Sequence, residues 1–235
     1  MLKGALSVIK YIFFDLDDTL FDFPLAERMA IGQTLGALGI AYTDGTLLRY
    51  SEINRQCWDA LERGELSREE LAYRRFEILF SELGVSISLE RTQRIYEQAL
   101  GAYHPFLPGA LELLEALCKD YELYAVTNGF AVTQEKRIRE AELNRYFRGF
   151  FISEHVGYSK PDRRFFEEAF AEIDGFEAEK SIVVGDSLQS DILGAKNAGV
   201  KSCLYNPKFK KNATDIIPDY EIHELGELVS LLKKL

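Results

Sequence analysis

Residues 11–21 read Tyr-Ile-Phe-Phe-Asp-Leu-Asp-Asp-Thr-Leu-Phe. A strand-favouring apolar run without polar alternation is the pattern of a strand buried on both faces, as in parallel sheets covered by helices. The run ends abruptly at Asp15, Asp17 and Asp18. In open parallel α/β sheets ligands bind beyond the carboxyl ends of the strands. Carboxylates packed this closely repel one another and need a cation or a proton to coexist. Asp15 and Asp17 are two apart, so on an extended chain they point the same way. A hard divalent cation with oxygen ligands, such as Mg2+, suits them. A carboxylate beside such an ion can attack a phosphoryl group and form an aspartyl-phosphate. A second carboxylate nearby can act as general acid and base. An acidic turn after a core strand would read the same way over these residues alone, so the rest of the chain has to decide.

The chain has 235 residues, long enough for a sizeable core, and 47% hydrophobic with 28% charged residues is an ordinary globular balance. A net charge of −10 disfavours a nucleic-acid polymer or an anionic membrane as partner. It leaves room for a small anion, since one lysine and one metal ion make a local positive site. Cys57, Cys118 and Cys203 are far apart, odd in number and form no CxxC pair, which fits reduced thiols. Met1 to Lys10 contains no apolar signal-peptide core, and no apolar run approaches a membrane span. The expected location is the cytoplasm.

Residues 8–14 read as the first strand, and Pro24 suits the start of a helix. From Leu25 to about Tyr103 helical periodicity replaces strand-like runs. It predicts helices over Leu25–Leu38, Thr46–Arg63, Ser67–Leu83 and Leu89–Ala102. Ser67 and Glu70 form a capping-box pattern, and Gly39, Gly64 and Gly84 stand where helices should stop. Helices of this length with short connections predict a bundle, here an insertion within an α/β chain. The Pro/Gly-rich segment 104–109 is the re-entry and a hinge candidate. Beyond it, helices are expected over Ala110–Lys119, Val132–Ala141, Asp162–Ile173, Ser190–Ala198 and His223–Leu235. Strands are expected over Glu122–Thr127, Gly149–Ser153, Ser181–Gly185, Lys201–Tyr205 and Tyr220–Ile222. That alternation implies βαβ units and a parallel sheet. The fold class is α/β, a Rossmann-like parallel-sheet core with an inserted all-helical domain. The core covers residues 1–22 and 105–235, and the insertion covers 23–104.

Other strand ends carry chemistry too. The run ending in Thr127-Asn128-Gly129 offers a hydroxyl and backbone amides to phosphoryl oxygens, with Gly129 allowing close approach. Read alone it is an ordinary Asn-Gly turn. Lys160 precedes a helix and can offset the acidic cluster and a transferring phosphoryl group, although a surface lysine explains it equally. The run ending in Gly185-Asp186 has a further acid at Asp191. Asp186 can complete a cation shell begun by Asp15 and the backbone carbonyl of Asp17. Asp191 can orient Lys160 or a metal-bound water, or simply favour a helix start.

Taken in order, Asp15-x-Asp17-x-Thr19, Thr127-Asn128-Gly129, Lys160-Pro161 and Gly185-Asp186 with Asp191 resemble the ordered motifs of the haloacid dehalogenase-like (HAD) superfamily, over essentially the whole chain. The helical insertion between the first two motifs resembles the subclass with a C1 cap. The resemblance implies that Asp15 is the nucleophile and Asp17 the general acid and base. It implies phosphate contacts from Thr127, Asn128, Gly129 and Lys160, and Mg2+ held by Asp15, Asp17 and Asp186 with Asp191 behind. The dehalogenase branch lacks an acid at the Asp17 position, which favours phosphoryl chemistry, while phosphomutases keep both acids. Phe14 to Phe23, Thr127 to Phe130, Ile152 to Gly157 and Ser190 to Gly194 are similar to the YjjG/YfnB-type pyrimidine 5′-nucleotidases. The implied partner is a small phosphorylated metabolite, a nucleoside monophosphate, for a monomer or homodimer. A sugar-phosphate or broad phosphatase, a 2-haloacid dehalogenase, or a non-catalytic binding protein on the same fold are the alternatives. Phe21, Phe23, Trp58 and Phe130 are the aromatics on which a base could stack.

Overall fold

The computed structural model describes residues 9–235. Part of the expected first strand and most of the Met1–Lys10 stretch therefore lie outside the described residues. Strand β1 (Tyr11–Phe14) is buried at every position, as its unbroken apolar run requires. It pairs in parallel with β2 (Glu122–Thr127) on one side and β4 (Ser181–Gly185) on the other. With β3 (Phe147–Ile152), β5 (Lys201–Tyr205) and β6 (Tyr220–Ile222) the sheet order is β3-β2-β1-β4-β5-β6, parallel throughout. The chain leaves β1 towards β2 and β3, then returns to add β4, β5 and β6 on the opposite flank. β1 is thus the topological switch point, where such sheets open a crevice at their carboxyl ends.

Successive side chains alternate between the two faces. Ile12, Phe14, Leu123, Ala125, Ile182 and Val184 pack with helices α5 (Ala110–Leu117) and α10 (Glu227–Leu232). Tyr11, Phe13, Tyr124, Val126 and Val183 pack with α8 (Arg163–Ala171) and α9 (Leu193–Ala198). Helices α1 (Phe23–Ala37), α2 (Asp44–Glu62), α3 (Arg68–Leu83) and α4 (Leu89–Gly101) enclose a separate apolar cluster that includes Ile31, Tyr50, Phe76 and Tyr96. Between Thr127 and β3 lies α6 (Ala131–Glu140), and α7 (Ser153–Val156) follows β3.

The chain passes between sheet and helical cluster twice, side by side. Asp22 N donates to Pro105 O at 2.8 Å and Leu107 N to Leu20 O at 2.8 Å, and Phe21 and Phe106 form an antiparallel bridge. Asp22 caps α1 through Leu25 N at 3.0 Å, with Pro24 in the first turn. The capping box of Ser67 and Glu70 is present, and Gly84 ends α3 at φ +65°.

Some boundaries differ from the sequence expectation. α2 starts at Asp44 because Thr43 caps it reciprocally with Thr46. β3 starts at Phe147 rather than Gly149, across a register shift opposite Leu123 and Tyr124. The segment expected to be helical from Ser190 opens as a π turn over Leu188–Ile192. The expected closing helix from His223 is confined to Glu227–Leu232, since His223 Nδ1 is held 2.8 Å from Asn206 O.

Candidate active site

The carboxyl ends of β1, β2 and β4 converge on Asp15, Thr127 and Asp186. Asp15 extends the β1 pairing, its N–H donating to Val184 O at 2.9 Å. Lys160, reached after α7, is only 3% exposed. Its Nζ donates to Asp15 Oδ1 at 2.7 Å, Asp191 Oδ1 at 2.6 Å and Val126 O at 2.9 Å. An ammonium has three protons, and all of them are used. Asp191 spends its other oxygen on Ser187 N at 3.1 Å. It holds Lys160 in place, and a Cβ on Gly185 would overlap the Asp191 carboxyl group.

Carboxylate oxygens of Asp15, Asp186 and Asp191 lie within 4.8 Å of one another, the group among the described residues suited to a metal ion. Burial raises Asp15 to about 7 against the pull of Lys160, with Asp191 and Asp17 adding to the rise. Asp186 is pushed well above the carboxylate range by burial and then by Asp191 and Asp15. Hard oxygen donors that resist ionising together fit Mg2+ well. Each Asp191 oxygen already accepts one hydrogen bond, whereas Asp15 Oδ2 and the Asp186 carboxylate accept none among the described residues and are the less engaged donors for a cation. Asp18 turns out of the strand at φ 60° and is raised to about 6 by burial and by Asp17.

Thr127 is buried, and its Oγ1 accepts from Gly129 N at 3.1 Å and Gln134 Nε2 at 2.9 Å. Both contacts are donations to the hydroxyl oxygen, so neither of them uses its own hydrogen. Asn128 lines the cleft, but its side chain brackets the Lys160 peptide, with Nδ2 to Lys160 O and Lys160 N to Oδ1 both at 2.9 Å. Gly129 makes room for a side chain as well as for a ligand, because a Cβ there would overlap the Gln134 amide.

Sequence reasoning missed the residues that hold Asp17. Arg137 Nη1 pairs with Asp17 Oδ1, and Gln134 Nε2 donates to Oδ2 at 2.7 Å. The signal was present: Thr133, Gln134 and Arg137 are polar residues on one buried face of the helix that directly follows the Thr127 turn. Arg68, at the start of α3, was missed too. It donates to Asn128 O at 2.8 Å and Ser153 Oγ at 2.9 Å, tying the helical cluster to the sheet.

Asp15, Asp17, Thr127, Asn128, Gly129, Asp186 and Asp191 share a cleft of about 540 Å³, within the usual range of ligand pockets. Phe23 and Trp58 form part of its wall from the helical side. Phe130 packs edge-on against Trp58 at 5.9 Å. Phe21 is fully buried, against Phe106 at 5.0 Å and beneath Arg137, so it is core and not a platform for a base.

The model of the haloacid dehalogenase-like hydrolases matches residues 9–199. The chain is similar to the pyrimidine 5′-nucleotidase PynA of Streptococcus pneumoniae, 38% identical over 226 residues, covering 96% of this chain and 95% of that one. The pyrimidine 5′-nucleotidase YjjG of Escherichia coli is 30% identical over 227 residues, covering 95% and 98%. Among solved structures, the HAD-hydrolase YfnB of Bacillus subtilis, crystallised with magnesium, superposes with a TM-score of 0.91 at 37% identity, covering 95% of this chain and 98% of that one. No helix among the described residues is long and apolar enough to cross a membrane. The order of the strand-end residues, the switch-point placement of Asp15 and these likenesses agree: the chain belongs to the haloacid dehalogenase-like hydrolase family.

Proposed function

We propose that the protein is a Mg2+-dependent phosphatase of nucleoside 5′-monophosphates that works through phosphoryl transfer to Asp15. The observation that carries this reading is the convergence of Lys160, Thr127 and Asp186 on Asp15, at the floor of a cleft whose far wall holds Phe23 and Trp58. The names of PynA and YjjG support the nucleotide as substrate.

Asp15 and Asp186, with the backbone carbonyl of Asp17, would hold Mg2+. When bound, the ion offsets the charge of the phosphoryl oxygens against these acids. The Thr127 hydroxyl donates to a phosphoryl oxygen, and Lys160 fixes Asp15 while adding positive charge. An Asp15 oxygen forms a bond to phosphorus as the bond to the 5′-oxygen breaks, and Asp17 gives that oxygen its proton. Water then bonds to phosphorus, the aspartyl-phosphate bond breaks, and the proton of the water returns to Asp17. Inorganic phosphate and the nucleoside leave.

Residues 23–104 act as a lid in this reading. The YfnB structure carrying magnesium is described as revealing interdomain movement. Here the adjacent chain passages near Phe21 and Phe106 fit a hinge, and closure would exclude water during the first transfer. Trp58 and Phe23 would meet the base.

The test is a substrate panel of UMP, dUMP, CMP, AMP and glucose 6-phosphate with Mg2+. The reading expects kcat/KM on at least one nucleotide to exceed that on the sugar phosphate by about tenfold or more, as a pocket that contacts the base would give. A sugar phosphate turned over as well as every nucleotide would move the function to small-metabolite phosphatase.

A further inference from the structure

Asp17 has to deliver a proton to one atom of the substrate, so the direction of its carboxyl group matters as much as its presence. Its side chain is 27% exposed, facing the cleft, yet both oxygens are held from behind. Arg137 engages Oδ1, and Gln134 Nε2 donates to Oδ2 at 2.7 Å. The same Gln134 nitrogen donates to Thr127 Oγ1 at 2.9 Å. One amide group, with its two hydrogens, therefore sets the spacing between the acid and the hydroxyl that faces the phosphoryl group. Gln134 Oε1 in turn accepts from Arg137 Nη1 at 3.2 Å, which fixes the orientation of the amide.

Arg137 is completely buried, and its Nη2 finds no hydrogen-bond acceptor among the described residues. A buried cation that leaves a donor unmet is costly to a fold, so its place is explained by what it holds. Its Nε donates to Tyr103 O at 3.1 Å, in the chain returning from the helical cluster. Gly129 completes the arrangement, because any side chain there would displace the Gln134 amide.

Resting on the phosphatase reading above, we infer that Gln134 and Arg137 are positioning residues that aim the Asp17 carboxyl group at the leaving oxygen and lock its spacing to Thr127. A carboxyl group has about four lone-pair sites, and the clamp occupies two of them, leaving the cleft-facing pair for the proton. Such a clamp is felt in proportion to how much the leaving group needs a proton. An alkoxide from a nucleotide or from glycerol needs one, whereas 4-nitrophenolate leaves as a stable anion.

The experiment compares Gln134→Leu with the wild type on UMP, β-glycerophosphate and 4-nitrophenyl phosphate with Mg2+, reading kcat/KM. That parameter stops at departure of the leaving group, so the later hydrolysis of the aspartyl-phosphate does not enter. A loss of phosphate affinity through Thr127 would lower all substrates alike. The expected result is a fall of about 10- to 100-fold on the alkyl esters, the scale of a misplaced catalytic group, and a fall smaller by about tenfold on 4-nitrophenyl phosphate. Falls that agree within about threefold would overturn the inference. If Gln134→Leu does not fold, Gln134→Asn, which keeps the amide but is too short to span Asp17 and Thr127, is read by the same criterion. A wild type that hydrolyses β-glycerophosphate but none of UMP, dUMP, CMP and AMP would sink the nucleotidase reading while leaving the clamp measurable. A wild type inactive on every ester would sink both.

Discussion

Gly129→Ala should perturb the protein almost entirely through one neighbour. Gly129 is not in the left-handed region, so an alanine backbone is allowed there. The added methyl group would overlap Gln134 Nε2, and would lie 2.8 Å from both Gln134 Cδ and Cγ. Gln134 is 1% exposed, so its side chain cannot simply swing into water. It must abandon its bonds to Asp17 and Thr127. A hydrogen bond to a charged group contributes about 1.5–3 kcal/mol and a neutral one about 0.5–1.5 kcal/mol. The two lost bonds together come to about 2–4 kcal/mol, and any residual overpacking adds to the cost. For a chain of 235 residues that lowers Tm by roughly 5–12 °C. Gln134→Ala removes every atom the methyl group would strike, so Gly129→Ala should cost almost nothing in that background. A double-mutant cycle by urea unfolding should return a coupling of about 2–4 kcal/mol. Additivity within about 0.5 kcal/mol, the behaviour of independent sites, would refute the reasoning.

Mg2+ at about one hundred times its Kd should stabilise the wild type by about 2.7 kcal/mol, a Tm rise of roughly 5–10 °C, and Asp186→Asn should abolish most of it in a thermal-shift assay. An undiminished shift in the variant would remove Asp186 from the metal site. Glu27 is raised by burial, against the hydrogen bonds from Ser51 and Asn54. Its folded state therefore favours the protonated form, and the associated stability is present below the ordinary carboxylate value and lost as pH rises through the raised one. Glu27→Gln lacks this dependence, so its Tm should gain on that of the wild type as pH rises above the ordinary carboxylate value. Parallel Tm profiles would count against this. Burial pushes the Cys203 thiol up to about 12 and also raises Cys57, while Cys118 is half-exposed. An aromatic disulfide reagent should titrate Cys118 fast in the native protein and the other thiols only on unfolding. Rapid reaction of all of them would contradict the packing.

Much of the site was legible because strand ends are written in local sequence. Tyr11–Phe14, Tyr124–Thr127 and Ile182–Gly185 each show an apolar run broken by a polar residue, and the parallel sheet then brings those breaks together. Lys160 was legible by its order in the chain, but its contacts with Asp15 and Asp191 are tertiary facts. Arg137 was not legible in the same way. It lies 120 positions from Asp17, and a charged residue in a helix ordinarily faces water. Phe21 misled for the opposite reason. It is adjacent to the acids in sequence, yet the turn at Asp18 sends it into the core. Helix ends shifted where a side chain beyond the periodic pattern decided them, as Thr43 does for α2.

The central claim is that Asp15 carries the phosphoryl group in a metal-dependent hydrolysis. Phosphate release from UMP, dUMP and glucose 6-phosphate, with and without Mg2+, for the wild type and Asp15→Asn, tests it most directly. The account expects release from the nucleotides that requires Mg2+ and disappears in the variant, which should still fold since its amide keeps the shape of the carboxyl group. Release that survives in Asp15→Asn, or that ignores the metal, would contradict it.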